Sequence, residues 1–167
     1  MSFDQIYQLY YQELWQFACF MTNNRETGAE IVQESFVKLF EVFRRSEKID
    51  NPRAWMYRVV RNHCINQNQR NRLVLTEDHS VFDCSVYSDY ADTQLLNERQ
   101  KQLKKTIAGL TRQEQVLLFL YKKQFSYKEM AEMVQMNPNS IGKTLSRIIE
   151  KITKQIKKAN HELFEIG

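Results

Sequence analysis

The stretch that decides the fold runs Phe125-Ser126-Tyr127-Lys128-Glu129-Met130-Ala131-Glu132-Met133-Val134-Gln135-Met136-Asn137-Pro138-Asn139-Ser140-Ile141-Gly142-Lys143-Thr144-Leu145-Ser146-Arg147. Ser126-x-x-Glu129 has the spacing of a capping box, in which each side chain satisfies a backbone N–H of the other residue. Asn137-Pro138 places an N-cap residue before a proline, whose missing N–H costs nothing at the first helical position. Between them lie eight residues and a short turn, the spacing of a helix-turn-helix. Met130, Ala131, Val134, Met136 and Ile141 supply its apolar contacts, with Ala131 small enough for two helices to cross closely. Gln135 stands where such turns favour glycine, at a cost of about 1 kcal/mol if its φ is positive, and Gly142 loosens the second helix by about as much. Opposite an isoleucine-rich face lie Asn139, Lys143, Ser146 and Arg147, groups suited to base edges and phosphates.

Working outward, Thr111-x-x-Glu114 is a second capping box, opening a helix through Val116, Leu117, Leu120 and Tyr121. A preceding helix should run from near Ala91 to about Ala108. Beyond the turn, Ile141, Leu145, Ile148, Ile149, Ile152 and Ile156 mark one face of a long final helix. Upstream, apolar residues from Phe3 to Met21 and from Ile31 to Phe43 recur at three- and four-residue steps, and Asn51-Pro52 opens a further helix to about Arg72. On that last helix Trp55, Met56, Val59 and Val60 share one side, while Arg58, Arg61, Asn68 and Arg72 line another. Trp15, Phe17, Phe36, Phe40, Phe43 and Trp55 read as core, and Tyr57 as a candidate for stacking on a base.

Four glycines and two prolines are too few for a turn-rich β-protein. The expected fold is all-α: two small helical domains, residues 1-72 and 97-167, joined by an acidic flexible linker over 73-96. Charge divides the same way, with 10 basic and 8 acidic residues before Leu73, 0 and 5 from Leu73 to Leu96, and 14 and 7 thereafter. Three well-separated cysteines, Cys19, Cys64 and Cys84, form no zinc or disulfide framework, which fits a reducing, cytoplasmic setting. His63, Cys64, His79 and Cys84 have spacings unlike zinc sites, and no paired carboxylates or activated nucleophile suggest an enzyme. No metal or cofactor is expected, and no membrane insertion.

The segment from Leu110 to Lys158, with its Leu-Thr-Arg-Gln-Glu-Gln-Val-Leu-Leu opening and the Phe-Ser-Tyr-Lys-Glu-Met-Ala-Glu-Met that follows, resembles the promoter-binding region of bacterial extracytoplasmic-function sigma factors. Gly28-Ala29-Glu30-Ile31-Val32-Gln33-Glu34-Ser35-Phe36 and Arg53-Ala54-Trp55-Met56-Tyr57-Arg58-Val59-Val60-Arg61-Asn62 resemble, respectively, the polymerase-binding and downstream-promoter helices of the same family. The resemblance implies a non-enzymatic subunit that binds core RNA polymerase and directs promoter recognition, melting and initiation. It implies that Asn139, Ser140, Lys143, Thr144, Ser146 and Arg147 read a -35 element as duplex, and that Lys48, Asn51, Arg53, Tyr57, Arg58, Arg61, Asn62 and Arg72 hold an opened -10 element. Glu30, Gln33, Glu34 and Lys38 would dock on the clamp coiled coil of the largest polymerase subunit. The polymerase flap and an anti-sigma factor are the further implied partners. Thr144, where the family often has Arg, and Gly142 bear on which promoter is read. The alternative from another class is a helix-turn-helix regulator whose N-terminal lobe senses a ligand or dimerises, which leaves the basic third helix unexplained.

Overall fold

The structure, a computed structural model, describes the backbone of residues 1–74 and 98–165 and the side chains of residues 1–70 and 100–161. The described residues form seven α-helices and no strand. The chain divides into two compact units, Met1–Tyr87 and Ser88–Gly167. Most of the acidic stretch expected as a linker, and the start of the helix expected near Ala91, lie outside the described residues.

The first unit is a three-helix bundle of α1 (Phe3–Thr22), α2 (Arg25–Arg44) and α3 (Pro52–Val74), each packed on the other two. Local chemistry sets the boundaries. Ser2 and Gln5 form a reciprocal capping box at the start of α1, and Asn23 closes it in the left-handed conformation, φ 54°. Asn24 then caps α2, its side chain accepting from the Thr27 N–H at 2.9 Å. Two residues thus reverse the chain, bringing the start of α2 against the end of α1. A Cβ on Gly28 would lie 2.8 Å from Cys19 Sγ and 2.9 Å from its backbone nitrogen, so the glycine is what allows the approach. Asn51 Oδ1 accepts from the Ala54 N–H at 3.0 Å, confirming the cap before Pro52, and α3 continues two residues past Arg72.

The bundle core is Ile6, Leu14, Phe17, Ala18 and Cys19 of α1, Ile31, Val32, Phe36 and Leu39 of α2, and Met56, Tyr57, Val60 and Cys64 of α3. Burial pushes the Cys19 thiol up to about 11, which makes it an inert packing group. Four aromatic expectations are corrected. Phe40 is 49% exposed, because it sits at the flank of α2 where only the edge of Phe3 meets it, ring centroids 5.7 Å apart. Trp15, Phe43 and Trp55 are half-buried.

The second unit comprises α4 (Glu98–Ala108), α5 (Arg112–Lys122), α6 (Tyr127–Val134) and α7 (Pro138–Glu165). Both expected capping boxes are present, Thr111 with Glu114 and Ser126 with Glu129. Gln115, buried, ties α5 to the end of α4 by donating from Nε2 to the Ile107 and Leu110 carbonyls at 3.1 and 3.2 Å. Leu117, Leu120, Met130, Ala131, Met133, Val134, Ile141, Leu145 and Ile148 make the core. Ile149 is exposed, so the apolar face of α7 is narrower there than its sequence implies.

Gly28→Ala should lower the stability of the first unit by about 1–2 kcal/mol in urea denaturation, the forced shift of α1 outweighing the gain in helix propensity. In the second unit, the backbone N–H of Thr111 and the Lys151 ammonium hold the Glu114 carboxyl below its usual range. A lowered folded value contributes stability that is complete above the ordinary carboxylate range and lost as pH falls through the folded value. The melting temperature of Glu114→Gln should therefore sit below wild type at neutral pH and converge with it on acidification.

Candidate nucleic-acid interface

The orientation of α3 is fixed from its buried side. Tyr57 is fully buried, its ring 4.9 Å from that of Phe17. Beside it, Arg53 donates from Nε and Nη2 to the two carboxylate oxygens of Glu13 on α1, at 2.9 and 3.1 Å. The same guanidinium lies 5.9 Å from the Tyr57 ring centroid. Bidentate geometry with two half-buried partners makes this one of the stronger kinds of ion pair. Further along, Asn68 donates from Nδ2 to the Met21 carbonyl at 3.1 Å.

Three sequence expectations change as a result. Tyr57 is not available to stack on a base, because its ring fills the space between α1 and α3, and burial also pushes its phenol well above its ordinary pKa. Arg53 is committed to Glu13, since removing one partner would strand a half-buried charge. Asn68 turns toward α1 and leaves the cationic face it was assigned to. The aromatic that does accompany Arg58 and Asn62 on the outward side of α3 is half-buried Trp55, three and seven residues before them, and helical periodicity alone shows this once Tyr57 is placed inside.

Arg58 and Asn62 are exposed and Arg61 is half-buried. Desolvation lowers the Arg61 pKa, and among the described residues no carboxylate lies within ion-pair distance of it. Lys48 is exposed in the segment before α3, and Asn51, also exposed, uses its side-chain oxygen as the cap. Arg72 lies in the last turn of α3, with its side chain outside the described residues.

On α2 the four expected polymerase contacts, Glu30, Gln33, Glu34 and Lys38, are all exposed and share the side opposite Ile31, Ser35 and Leu39. Val37, 60% exposed in their midst, was missed by sequence reasoning, although it falls outside the buried periodic series. His63 of α3 sits behind this face, Nδ1 3.4 Å from Ser35 Oγ and 3.7 Å from Glu34 Oε2. Burial lowers its pKa, against the opposing pull of Glu34. Cys64 is fully buried, and His79 and Cys84 lie outside the described residues, so no joint metal site can be described for the four.

In the second unit, α6 and α7 are joined by residues 135–137. Gln135 adopts the left-handed conformation the turn requires, φ 57°, and its N–H donates to the Ala131 carbonyl. Asn137 Oδ1 accepts from the Asn139 N–H at 2.9 Å. Asn139, Lys143, Ser146 and Arg147 project together from α7, all exposed, while Ser140 is half-buried. Thr144 is a correction: half-buried, it donates its hydroxyl to the Ser140 carbonyl at 2.9 Å rather than presenting it outward.

A three-helix bundle, together with a second unit whose last two helices form a short-turn pair, defines an all-helical protein of two small units. Residues 6–73 match the family model for sigma-70 region 2. Over 96% of its length the chain is 24% identical to the RNA polymerase sigma factor YlaC of Bacillus subtilis, covering 95% of that protein. It is 20% identical to the extracytoplasmic-function sigma factor SigM of the same organism, over 91% of this chain and 93% of that one. The fold is similar to the sigma factor RpoE of Bartonella quintana, solved in complex with the anti-sigma factor NepR: TM-score 0.70, 19% identity, 93% of this chain and 96% of that chain covered. Over nearly its whole length the chain is thus similar to extracytoplasmic-function sigma factors of RNA polymerase. The sigma-factor reading is favoured over the regulator with an N-terminal sensor, since residues 6–73, the lobe that reading reserved for sensing, match the region 2 model.

Arg53→Ala should cost the first unit about 1–3 kcal/mol of stability by leaving Glu13 without its partner. Arg58→Ala, on the exposed side of the same helix, should stay within about 0.5 kcal/mol of wild type in the same denaturation assay.

Proposed function

We propose that this sigma factor grips promoter DNA at two points, with residues 1-72 holding the opened -10 element and residues 97-167 reading the -35 element as duplex. The observation that carries the first half is Arg61, a half-buried cation with no ion-pair partner among the described residues, on the same helix as exposed Arg58 and Asn62 and half-buried Trp55. Holding a cation partly out of water without a protein carboxylate favours an anionic ligand, and DNA phosphates are one. Opening a duplex without ATP requires binding unpaired bases by more than the lost stacking, about 1.4 kcal/mol per step. A cationic helix with an aromatic ring beside it supplies both the electrostatic and the stacking parts. Lys48 and Asn51, exposed in the segment before α3, and Arg72, in the last turn of α3, complete the proposed set. Arg53 and Tyr57 serve by fixing the helix that carries it.

In the second unit Asn139, Lys143, Ser146 and Arg147 enter the major groove, with Ser140 at the helix start beside them. Glu30, Gln33, Glu34 and Lys38, with Val37 among them, dock on the clamp coiled coil, and the second unit meets the flap. The chain acts as a polymerase subunit in the cytoplasm and carries out no reaction of its own. Among the described residues no helix is long and apolar enough to cross a membrane. An anti-sigma factor covering these faces is the proposed regulator, in keeping with the NepR complex in which the similar RpoE was solved.

Run-off transcription with core RNA polymerase tests this. Holoenzyme carrying Arg61→Ala or Trp55→Ala should lose about tenfold or more in open-complex formation on duplex promoters and recover on a template with a pre-opened -10 element. Arg147→Ala should be equally weak on both. Unaltered melting by the Arg61 variant would remove α3 from the proposed role.

A further inference from the structure

His63 of α3 stands behind the exposed face of α2 that carries Glu30, Gln33, Glu34 and Lys38. Its Nδ1 lies 3.4 Å from Ser35 Oγ and 3.7 Å from Glu34 Oε2. Those two neighbours fix which ring nitrogen carries the proton. Ser35, fully buried, already donates its hydroxyl to the Ile31 carbonyl at 2.7 Å, so toward His63 its oxygen can only accept. The Glu34 carboxylate is an acceptor as well. Nδ1 is therefore an N–H donor, in the neutral ring as in the protonated one. Burial and Lys38 disfavour the protonated ring, Glu34 and the Ile31 carbonyl favour it, and burial prevails, so the neutral form is present at neutral pH.

Glu34 has a second candidate partner on its own helix. Lys38 follows it by four residues, the order and spacing that favour an acid–base pair on a helix surface. Among the described residues no ion pair joins the two, although both are exposed. The carboxylate is met from α3 instead, by His63. Two groups already bonded to each other must part before either can bond to a partner, and a long side chain left unordered must be ordered at the moment of binding; both subtract from affinity.

We infer that His63 is a positioning residue of the polymerase-docking face: its Nδ1–H holds the Glu34 carboxylate on the α3 side of α2, ordering it and keeping it from Lys38, so that both charges stay open to the polymerase. The inference rests on the clamp-docking reading above and deepens it, giving a role to a side chain set behind the docking face. His63 also follows Asn62 directly, so one turn of α3 serves the proposed DNA face and supports the polymerase face of α2.

The test titrates the full chain against core RNA polymerase. His63→Ala should weaken the complex about threefold to tenfold, the scale of leaving one long side chain unordered. In a Glu34→Ala background the same change should add nothing, because the group it positions is gone. His63→Asn carries an amide N–H near the place of Nδ1–H and should restore most of the affinity, whereas His63→Gln, with its amide one bond further out, should not. At saturating chain, His63→Ala holoenzyme should open a duplex promoter, selected by wild-type holoenzyme from a randomised pool, as wild type does. Melting temperatures identify any variant that has lost its fold; if His63→Ala has, His63→Asn against His63→Gln carries the test, and equal affinities for the two would overturn the inference. Wild-type affinity of His63→Ala with Glu34→Ala weakened, a full further loss in the Glu34→Ala background, or a loss of promoter opening at saturating chain would each overturn this inference and leave the clamp reading standing. Wild-type affinity of Glu34→Ala would overturn both.

Discussion

The rotation of α3 about its own axis decides what the first unit can do, and a small set of contacts fixes it. Tyr57 packs on Phe17 in the space between α1 and α3, and the Arg53–Glu13 ion pair closes over that ring. Met56, Val60 and Cys64 continue the buried side, and the Asn68 bond to the Met21 carbonyl repeats the anchor three turns on. With those groups inside, Arg58 and Asn62 can only face out, and Arg61 is left at the boundary, partly desolvated. The cationic face is thus a consequence of packing.

The second unit solves a different problem, holding a short helix of eight residues against a long one. A helix of that length is not stable alone. It is maintained by its capping box, by a turn residue in the left-handed conformation and by the burial of Met130, Ala131, Met133 and Val134. Gln135 accepts the strain of a positive φ where glycine would be easier. Glycine appears instead on the recognition helix, where it costs propensity and admits a neighbouring ring. Each unit therefore places its least regular residue where two helices meet most closely, as Gly28 does over Cys19 in the first.

Helix boundaries, capping devices and the all-helical class were legible in the chain because they depend on interactions within about four residues. Thr111-Glu114, Ser126-Glu129, Asn51-Pro52 and Asn137-Pro138 all specify helix starts from local chemistry, and the structure has a helix at each. The family was legible too, since its motifs are linear. Which aromatics line the core was not. Tyr57 and Trp55 are two residues apart, both amphipathic rings on one helix, and periodicity alone cannot say which side of a cationic helix faces its neighbours. Phe40 fits the apolar repeat of α2 yet is left 49% exposed, although Phe3 at the start of α1 meets its ring.

The sequence by itself determined that the chain folds into helices, where they begin, and that basic residues gather on α3 and α7, because propensity, capping and charge are properties of neighbouring residues. Only the tertiary structure decided that Arg53 stabilises the bundle while Arg61 remains without an ion pair among the described residues, that Thr144 bonds back to its own helix, and that Tyr127 rests on Gly142. Arg53 and Tyr127 owe their settings to residues distant in sequence, brought close by helix packing. Arg61 owes its desolvation to how far α3 sinks into the bundle. The Thr144 bond is local in sequence, and the side chain that makes it is half-buried.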